Sequence, residues 1–188
     1  MRVISGLFKG KRLIEPKDIK TRPLKDLTKE SIFNIIDHSN KFHLDITESV
    51  ILDLFSGVGS FGIECLSRGA KKVVFIENYT GVLPILKKNL ANLKGINNYE
   101  IVEEDIYKSN FEYKYSKKFD LIFLDPPYKD KNISELLIKI NNSELLKDDG
   151  IIIIHRHKNE NDIFSSDYKI IEQKKYGISK VIFITTLN

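Results

Sequence analysis

Val50-Ile51-Leu52-Asp53-Leu54-Phe55-Ser56-Gly57-Val58-Gly59-Ser60-Phe61-Gly62 passes from a short apolar run of strand formers into a glycine loop. Ile63-Glu64-Cys65-Leu66-Ser67-Arg68 then continues with helical character. In a strand, loop and helix of this order, glycines let the backbone approach a ligand closely, and the N–H groups that open the helix face whatever binds there. A second strand, Val73-Val74-Phe75-Ile76-Glu77, ends in an acid fifteen residues beyond Gly62. A carboxylate in that place can accept both hydroxyls of a ribose. Gly57-x-Gly59-x-x-Gly62 is literally the dinucleotide fingerprint, so a nicotinamide enzyme is one reading. Two details argue against it. Asp53, just before the loop, is a poor neighbour for a diphosphate and a good one for an ammonium. Tyr99-Glu100-Ile101-Val102-Glu103 reads as a third strand, and Asp105 just beyond it suits the amino group of adenine. Asp53, Glu77 and Asp105 together describe a ligand with a cationic amino acid end, a ribose and an adenine. S-adenosylmethionine fits that description better than NAD.

Phe119-Asp120-Leu121-Ile122-Phe123-Leu124-Asp125-Pro126-Pro127-Tyr128 adds the second half of a site. Tandem prolines cannot continue a sheet, because each lacks the N–H and fixes φ. The turn collects a carboxylate (Asp125), a carbonyl free of sheet pairing (Pro126) and an aromatic face (Tyr128). Two acceptors can take the two N–H bonds of an exocyclic amine while the ring stacks on its heterocycle. The plainer reading is a proline-rich loop in which Asp125 starts a turn.

Outward from these stretches, residues 2–5 and 11–15 can pair as a hairpin around Gly6 and Gly10, and 27–37 carries Leu27, Ile32, Ile35 and Ile36 at helical spacing. Residues 80–94 predict a helix with Val82, Leu83, Leu86, Leu90 and Leu93 on one face, Pro84 in its first turn and Gly95 as its stop. A helix is expected over 132–141, a buried strand over 150–154 and a closing antiparallel pair over 168–174 and 180–186. Alternating strands and helices indicate a mostly parallel sheet covered on both faces, with ligands at the strands' C-terminal ends.

The chain resembles the RsmD family of bacterial 16S rRNA guanine-N2 methyltransferases along nearly its whole length. The leader carries Arg2-Val3-Ile4-Ser5-Gly6, Gly10-Lys11-Arg12-Leu13, Arg22-Pro23 and Glu30-Ser31-Ile32-Phe33-Asn34; the core carries Asp53 to Gly59, Leu66-Ser67-Arg68-Gly69-Ala70, Ile76-Glu77, Asn89-Leu90 and Asp125-Pro126-Pro127-Tyr128. The Asp-Pro-Pro-Tyr element is shared with other amino methyltransferases of DNA, RNA and protein, so the leader supplies much of the specificity. The resemblance implies an α/β, Rossmann-like class I methyltransferase dependent on S-adenosyl-L-methionine. Its sheet would be seven-stranded and mostly parallel, with an N-terminal β-hairpin and helix. It further implies one domain over 1–188 with a basic RNA-docking leader at 1–40, and 16S rRNA, within a 30S subunit, as partner of a monomer. Asp53, Phe55, Gly57, Gly59, Glu77, Asp105 and Ile106 would hold the cofactor, Asp125, Pro126 and Tyr128 would act on the amine, and Lys9, Lys11, Arg12 and Arg22 would meet RNA. A ribosome-assembly factor that binds RNA without transfer is the non-enzymatic alternative. One departure stands out: after Ile151-Ile152-Ile153-Ile154 the family often has a glutamate, and here stand His155, Arg156 and His157.

Length and composition are consistent with this. The 188 residues suffice for one α/β core, no apolar run approaches a membrane span and no signal peptide is expected, so the default is a cytoplasmic protein. Cys65 is the only cysteine, which excludes an intrachain disulfide and is read as a small core residue. Net charge is +4, yet residues 1–25 hold eight basic and two acidic side chains, +6, leaving −2 for the other 163. Such an arm can gather phosphates without reading sequence. His38 and His43 read as surface residues. His155 and His157 read either as phosphate contacts on the site's rim or as a solvated strand end, and no metal site is expected.

Overall fold

The computed structural model describes residues 1–16, 24–108, 110–115 and 118–187. Its strands are β1 (Val50–Leu54), β2 (Lys72–Ile76), β3 (Tyr99–Val102), β4 (Phe119–Leu124), β5 (Leu146–His157), β6 (Tyr168–Tyr176) and β7 (Ser179–Thr186). The helices are α1 (Asp26–His38), α2 (Ser60–Ser67), α3 (Leu83–Ala91) and α4 (Ile133–Asn142). One sheet joins the seven strands in the order β3-β2-β1-β4-β5-β7-β6. The first five run parallel, while β7 pairs antiparallel with both β5 and β6. Strand order reverses between β1 and β4, and a crevice opens outside the strand ends at such a reversal.

Both faces of the sheet are covered because the strands are apolar on both. Ile51, Val73, Phe75, Leu121, Phe123, Ile151 and Ile153 pack against α1, α2, α3 and the leader's Val3 and Leu13. Their neighbours Leu52, Leu54, Val74, Ile76, Ile122, Leu124, Ile152 and Ile154 meet α4 on the opposite face. This follows from the two-residue period of a strand. Cys65 is fully buried among the first set, and His38 and His43 are exposed.

Several boundaries differ from expectation. α3 begins at Leu83, three residues later than position 80, because Pro84 occupies its first turn and cannot lie deeper. β5 reaches from Leu146 to His157 rather than over 150–154, with an irregularity that lets Leu146 pair with Phe119 before Ile151 pairs with Leu121. The expected N-terminal hairpin closes through a single bridge, Arg2 to Arg12. Beyond that bridge Val3 still accepts the Gly10 N–H at 2.9 Å, but the next donors turn elsewhere: Ile4 and Ser5 donate to the buried carboxylate of Glu64 at 2.7 and 2.9 Å, and Leu7 donates to the Ser67 carbonyl at 2.7 Å. A Cβ at Gly6 would fall 1.8 Å from that same carbonyl, so only glycine allows this approach.

Candidate active site

β1 and β4 end side by side at the reversal, and the residues that follow them form the site. Asp53, the penultimate paired residue of β1, is 1% exposed, and its Oδ2 accepts the Gly62 N–H at 2.9 Å, tying the strand to the first turn of α2. Burial raises the Asp53 carboxyl well above the usual carboxylate range; the charges of Asp125 and Glu77 push the same way, against the Gly62 N–H. Between the ordinary range and that raised value, the folded chain keeps a proton that the unfolded chain has released. Stability therefore falls as pH rises through this window. Asp53→Asn, whose amide oxygen can still accept from Gly62, should be more stable than the parent at neutral pH and should lose this slope. Denaturant midpoints measured across the weakly acidic to neutral range check both points, and an unchanged slope would contradict the assignment.

Glu77 follows β2 and holds the glycine loop. Its Oε2 accepts the Gly57 N–H at 2.8 Å, while Oε1 accepts from Asn78 and Tyr79 at 2.9 and 2.8 Å. Gly57 and Gly59 have φ of +56° and +84°, conformations open chiefly to glycine. A Cβ at Gly57 would meet nothing closer than 4.0 Å, so the loop is open there, whereas one at Gly59 would strike Leu86 at 2.6 Å. Phe55 also has positive φ, +57°, a strained conformation for an aromatic residue at the mouth of the crevice. Its ring lies 6.1 Å from that of Tyr107. Asp105 accepts the Tyr107 N–H at 2.9 Å, and Ile106 is buried under α4.

The turn after β4 is held from below. Asp125 donates its N–H to the Leu54 carbonyl at 3.3 Å. The Pro127 carbonyl accepts from Asp130 at 2.8 Å, whereas the Pro126 carbonyl has no such donor among the described residues. Arg156, 1% exposed, forks onto both Asp162 oxygens and also donates to the carbonyls of Pro127 and Asp130. Tyr107 donates its hydroxyl to Asp130 at 2.9 Å, and burial beside that carboxylate keeps the phenol protonated far beyond its usual range. Tyr128 reaches Ser179 on β7 at 3.1 Å through its hydroxyl, and its ring meets those of His157 and His155 edge-on at 5.2 and 6.2 Å.

His155 is 6% exposed, and its Nδ1 lies 2.7 Å from Asp125 Oδ1. It is therefore neither a solvated strand end nor free for a phosphate, because β5 continues through it and buries its ring. Arg156 is likewise buried. His157 is half-buried and accepts the Asn159 N–H through Nδ1. Where the family often has an acid, this chain thus has a group that can donate to Asp125. A signal for the pair exists in the sequence: Leu121–Leu124 and Ile151–Ile154 are parallel apolar runs of equal length, each followed by a polar residue.

Of the expected RNA contacts, Lys9 and Arg12 are exposed. Lys11 is partly committed, over the Phe8 ring at 5.4 Å and onto the Asn92 carbonyl that ends α3. Arg22 lies outside the described residues. Among the described residues, no helix is long and apolar enough to cross a membrane.

A family model described as Conserved hypothetical protein 95, the RsmD family, matches residues 1–185. This chain belongs to the RsmD family. Bacillus subtilis YlbH is 34% identical over 183 residues, 96% of each chain. A Haemophilus influenzae protein named ribosomal RNA small subunit methyltransferase D is 31% identical over 179 residues, 95% of this chain and 90% of its own. Among solved structures, Escherichia coli yhhF superposes with a TM-score of 0.82 at 24% identity, covering 99% of this chain and 97% of its own. The RsmD-family fold is that of the class I S-adenosylmethionine-dependent methyltransferases, Rossmann-like with a seven-stranded, mostly parallel sheet.

Proposed function

We propose that this chain transfers the methyl group of S-adenosyl-L-methionine to the exocyclic N2 of a guanine in the 16S rRNA of the small ribosomal subunit. The observation that carries the reading is the turn at the strand reversal, where Asp125 and Pro126 follow β4 directly beside the end of β1 that leads into the glycine loop. Membership of a family whose Haemophilus influenzae relative is named for small-subunit rRNA supports the substrate. The residues present fit the cofactor. Burial first, and then the nearby charges of Asp125 and Glu77, raise the Asp53 carboxyl, and a cationic ligand placed among the three offsets both effects. Glu77 is oriented by three backbone N–H groups, with acceptor capacity left for a ribose hydroxyl. Phe55, Gly57, Gly59, Asp105 and Ile106 complete the cofactor's surroundings in this reading.

When bound, the cofactor supplies a methyl group on a sulfonium, which the amine nitrogen takes as the carbon–sulfur electron pair returns to sulfur. A guanine amine is a weak nucleophile because its lone pair is delocalised into the ring. Asp125 and the Pro126 carbonyl hold its two hydrogens, favour a more tetrahedral nitrogen and aim the lone pair, so that the gain is mainly alignment and electrostatics. Once the nitrogen is methylated it is acidic, and Asp125 Oδ2 accepts the proton it sheds. Tyr128 stacks on a base that has left its helix. Residues 1–40, through Lys9, Lys11, Arg12 and Arg22, dock the RNA.

Labelled S-adenosylmethionine, incubated separately with unmethylated 30S particles and with 50S particles, tests the substrate. Label is expected in 16S rRNA alone. Lys9→Glu with Arg12→Glu should raise the KM for 30S particles, leave kcat nearly unchanged and flatten the salt dependence by roughly 0.7 in log–log slope for each phosphate no longer neutralised. Label in 23S rRNA would contradict the substrate, and an unaltered salt series would remove the leader from the docking surface.

A further inference from the structure

We propose that His155 is the positioning residue for Asp125, an inference that rests on the reading of Asp125 as the amine's acceptor. The parallel pairing of β4 with β5 ends at Leu124 and Ile154, so Asp125 and His155 follow at the same level. The 2.7 Å separation between His155 Nδ1 and Asp125 Oδ1 has the length of a hydrogen bond to an ionised group. His155 has one ring nitrogen on the carboxylate, and the other, Nε2, is buried without any partner among the described residues. A proton on Nδ1 serves this arrangement: it donates to Oδ1 and leaves Nε2 as a bare acceptor, which avoids burying a second unsatisfied N–H. A histidine kept only for packing gains nothing from an unsatisfied buried nitrogen, which makes the bond to Asp125 the feature that accounts for the residue.

The consequence is directional. Asp125 is only partly buried, and its Oδ2 carries no hydrogen bond among the described residues. With Oδ1 held by His155, the carboxylate cannot rotate freely, and Oδ2 is the oxygen presented to the amine. β7 backs both members of the site, since Val181 pairs with His155 and Ser179 holds the Tyr128 hydroxyl. The histidine therefore acts through Asp125, without touching substrate or cofactor.

The test is a double-mutant cycle on single-turnover transfer from labelled S-adenosylmethionine to unmethylated 30S particles, both saturating. His155→Phe keeps a ring and removes the donor; it should slow transfer roughly 10- to 100-fold, the scale of a misplaced reacting group. Cofactor affinity should stay within a few-fold of the parent. In an Asp125→Ala background the same change should cost nothing further. His155→Asn, whose amide N–H falls near the position of Nδ1, should recover most of the rate, and His155→Gln, whose amide lies near Nε2, should not. The Asn and Gln pair carries the test if the Phe variant does not fold. Equal rates for Asn and Gln, or an independent loss from His155→Phe in the Asp125→Ala background, would overturn the proposal while leaving Asp125 in its role. A normal rate for Asp125→Ala alone would instead remove the reading beneath it.

Discussion

Asp125→Ala should lower the single-turnover rate of methyl transfer to 30S particles by roughly two to three orders of magnitude, the scale of removing one preorganised electrostatic interaction. Cofactor binding should survive, because Gly57, Gly59, Glu77 and Asp105 keep their positions: Glu77 is fixed by three backbone donors and Asp105 by the Tyr107 N–H. The turn itself should also survive. Arg156 holds the Pro127 and Asp130 carbonyls, and the Leu54 carbonyl is bonded to a backbone N–H that alanine retains. The variant thus separates chemistry from architecture. The variant also leaves buried His155 without its Asp125 partner, a cost of about 1–3 kcal/mol, so it should unfold somewhat earlier than the parent.

The largest loss of stability is expected at Glu64, far from the reacting atoms. This carboxylate is fully buried and accepts from Ile4, Ser5 and the Arg68 Nε, with the Lys29 ammonium 3.6 Å away. Lys29 is fully buried too, and its remaining bonds go to the Arg2 carbonyl at 2.8 Å and the Ser60 hydroxyl at 3.3 Å. Burial already pulls the Lys29 ammonium below the ordinary lysine range, with Glu64 opposing it. Glu64→Ala would strand that charge and leave two leader N–H groups unpaired. Breaking a buried pair in this way costs about 3–5 kcal/mol. Against a typical total of about 5–15 kcal/mol this is severe. Urea denaturation should register it as a lowered midpoint, and Lys29→Met added to the variant should recover part of the loss. A shift below about 1 kcal/mol would mean that the leader is anchored without Glu64, by its bonds to Ser67 and Asn89 and the apolar contacts of Val3 and Leu13.

The glycine loop and the Asp-Pro-Pro-Tyr turn are legible in the sequence because each is decided by neighbours along the chain: apolar runs form strands, and glycine and proline end them. Placing Asp53, Glu77 and Asp125 together needs only the rule that parallel strands present their C-terminal ends on one side. The register that brings His155 to Asp125 is not legible in the same way, since it depends on how β5 aligns with β4 across thirty residues of chain. A strand ending at Ile154 would leave three polar residues to solvent, whereas Arg156 is buried because Asp162 and two turn carbonyls satisfy it. Glu64 is hidden for a related reason. In an apolar helix it looks like an exposed polar face, and only the leader, about sixty residues earlier, reveals why a carboxylate is buried there. The N-terminal hairpin is less regular than its sequence suggests, because the backbone of Ile4 and Ser5 bonds a side chain in place of a ladder partner.

In the proposed reaction the turn after β4 delivers an exocyclic amine of guanine to the methyl donor. Unmethylated 30S particles treated with this protein and labelled S-adenosylmethionine, then digested to nucleosides, test it at the level of the atom. One labelled product is expected, N2-methylguanosine, arising from a single position of 16S rRNA and absent with the Asp125→Ala variant on the same timescale. Label on a ring nitrogen, a ring carbon or a ribose hydroxyl would contradict it, because none of those atoms offers two hydrogens to Asp125 and Pro126.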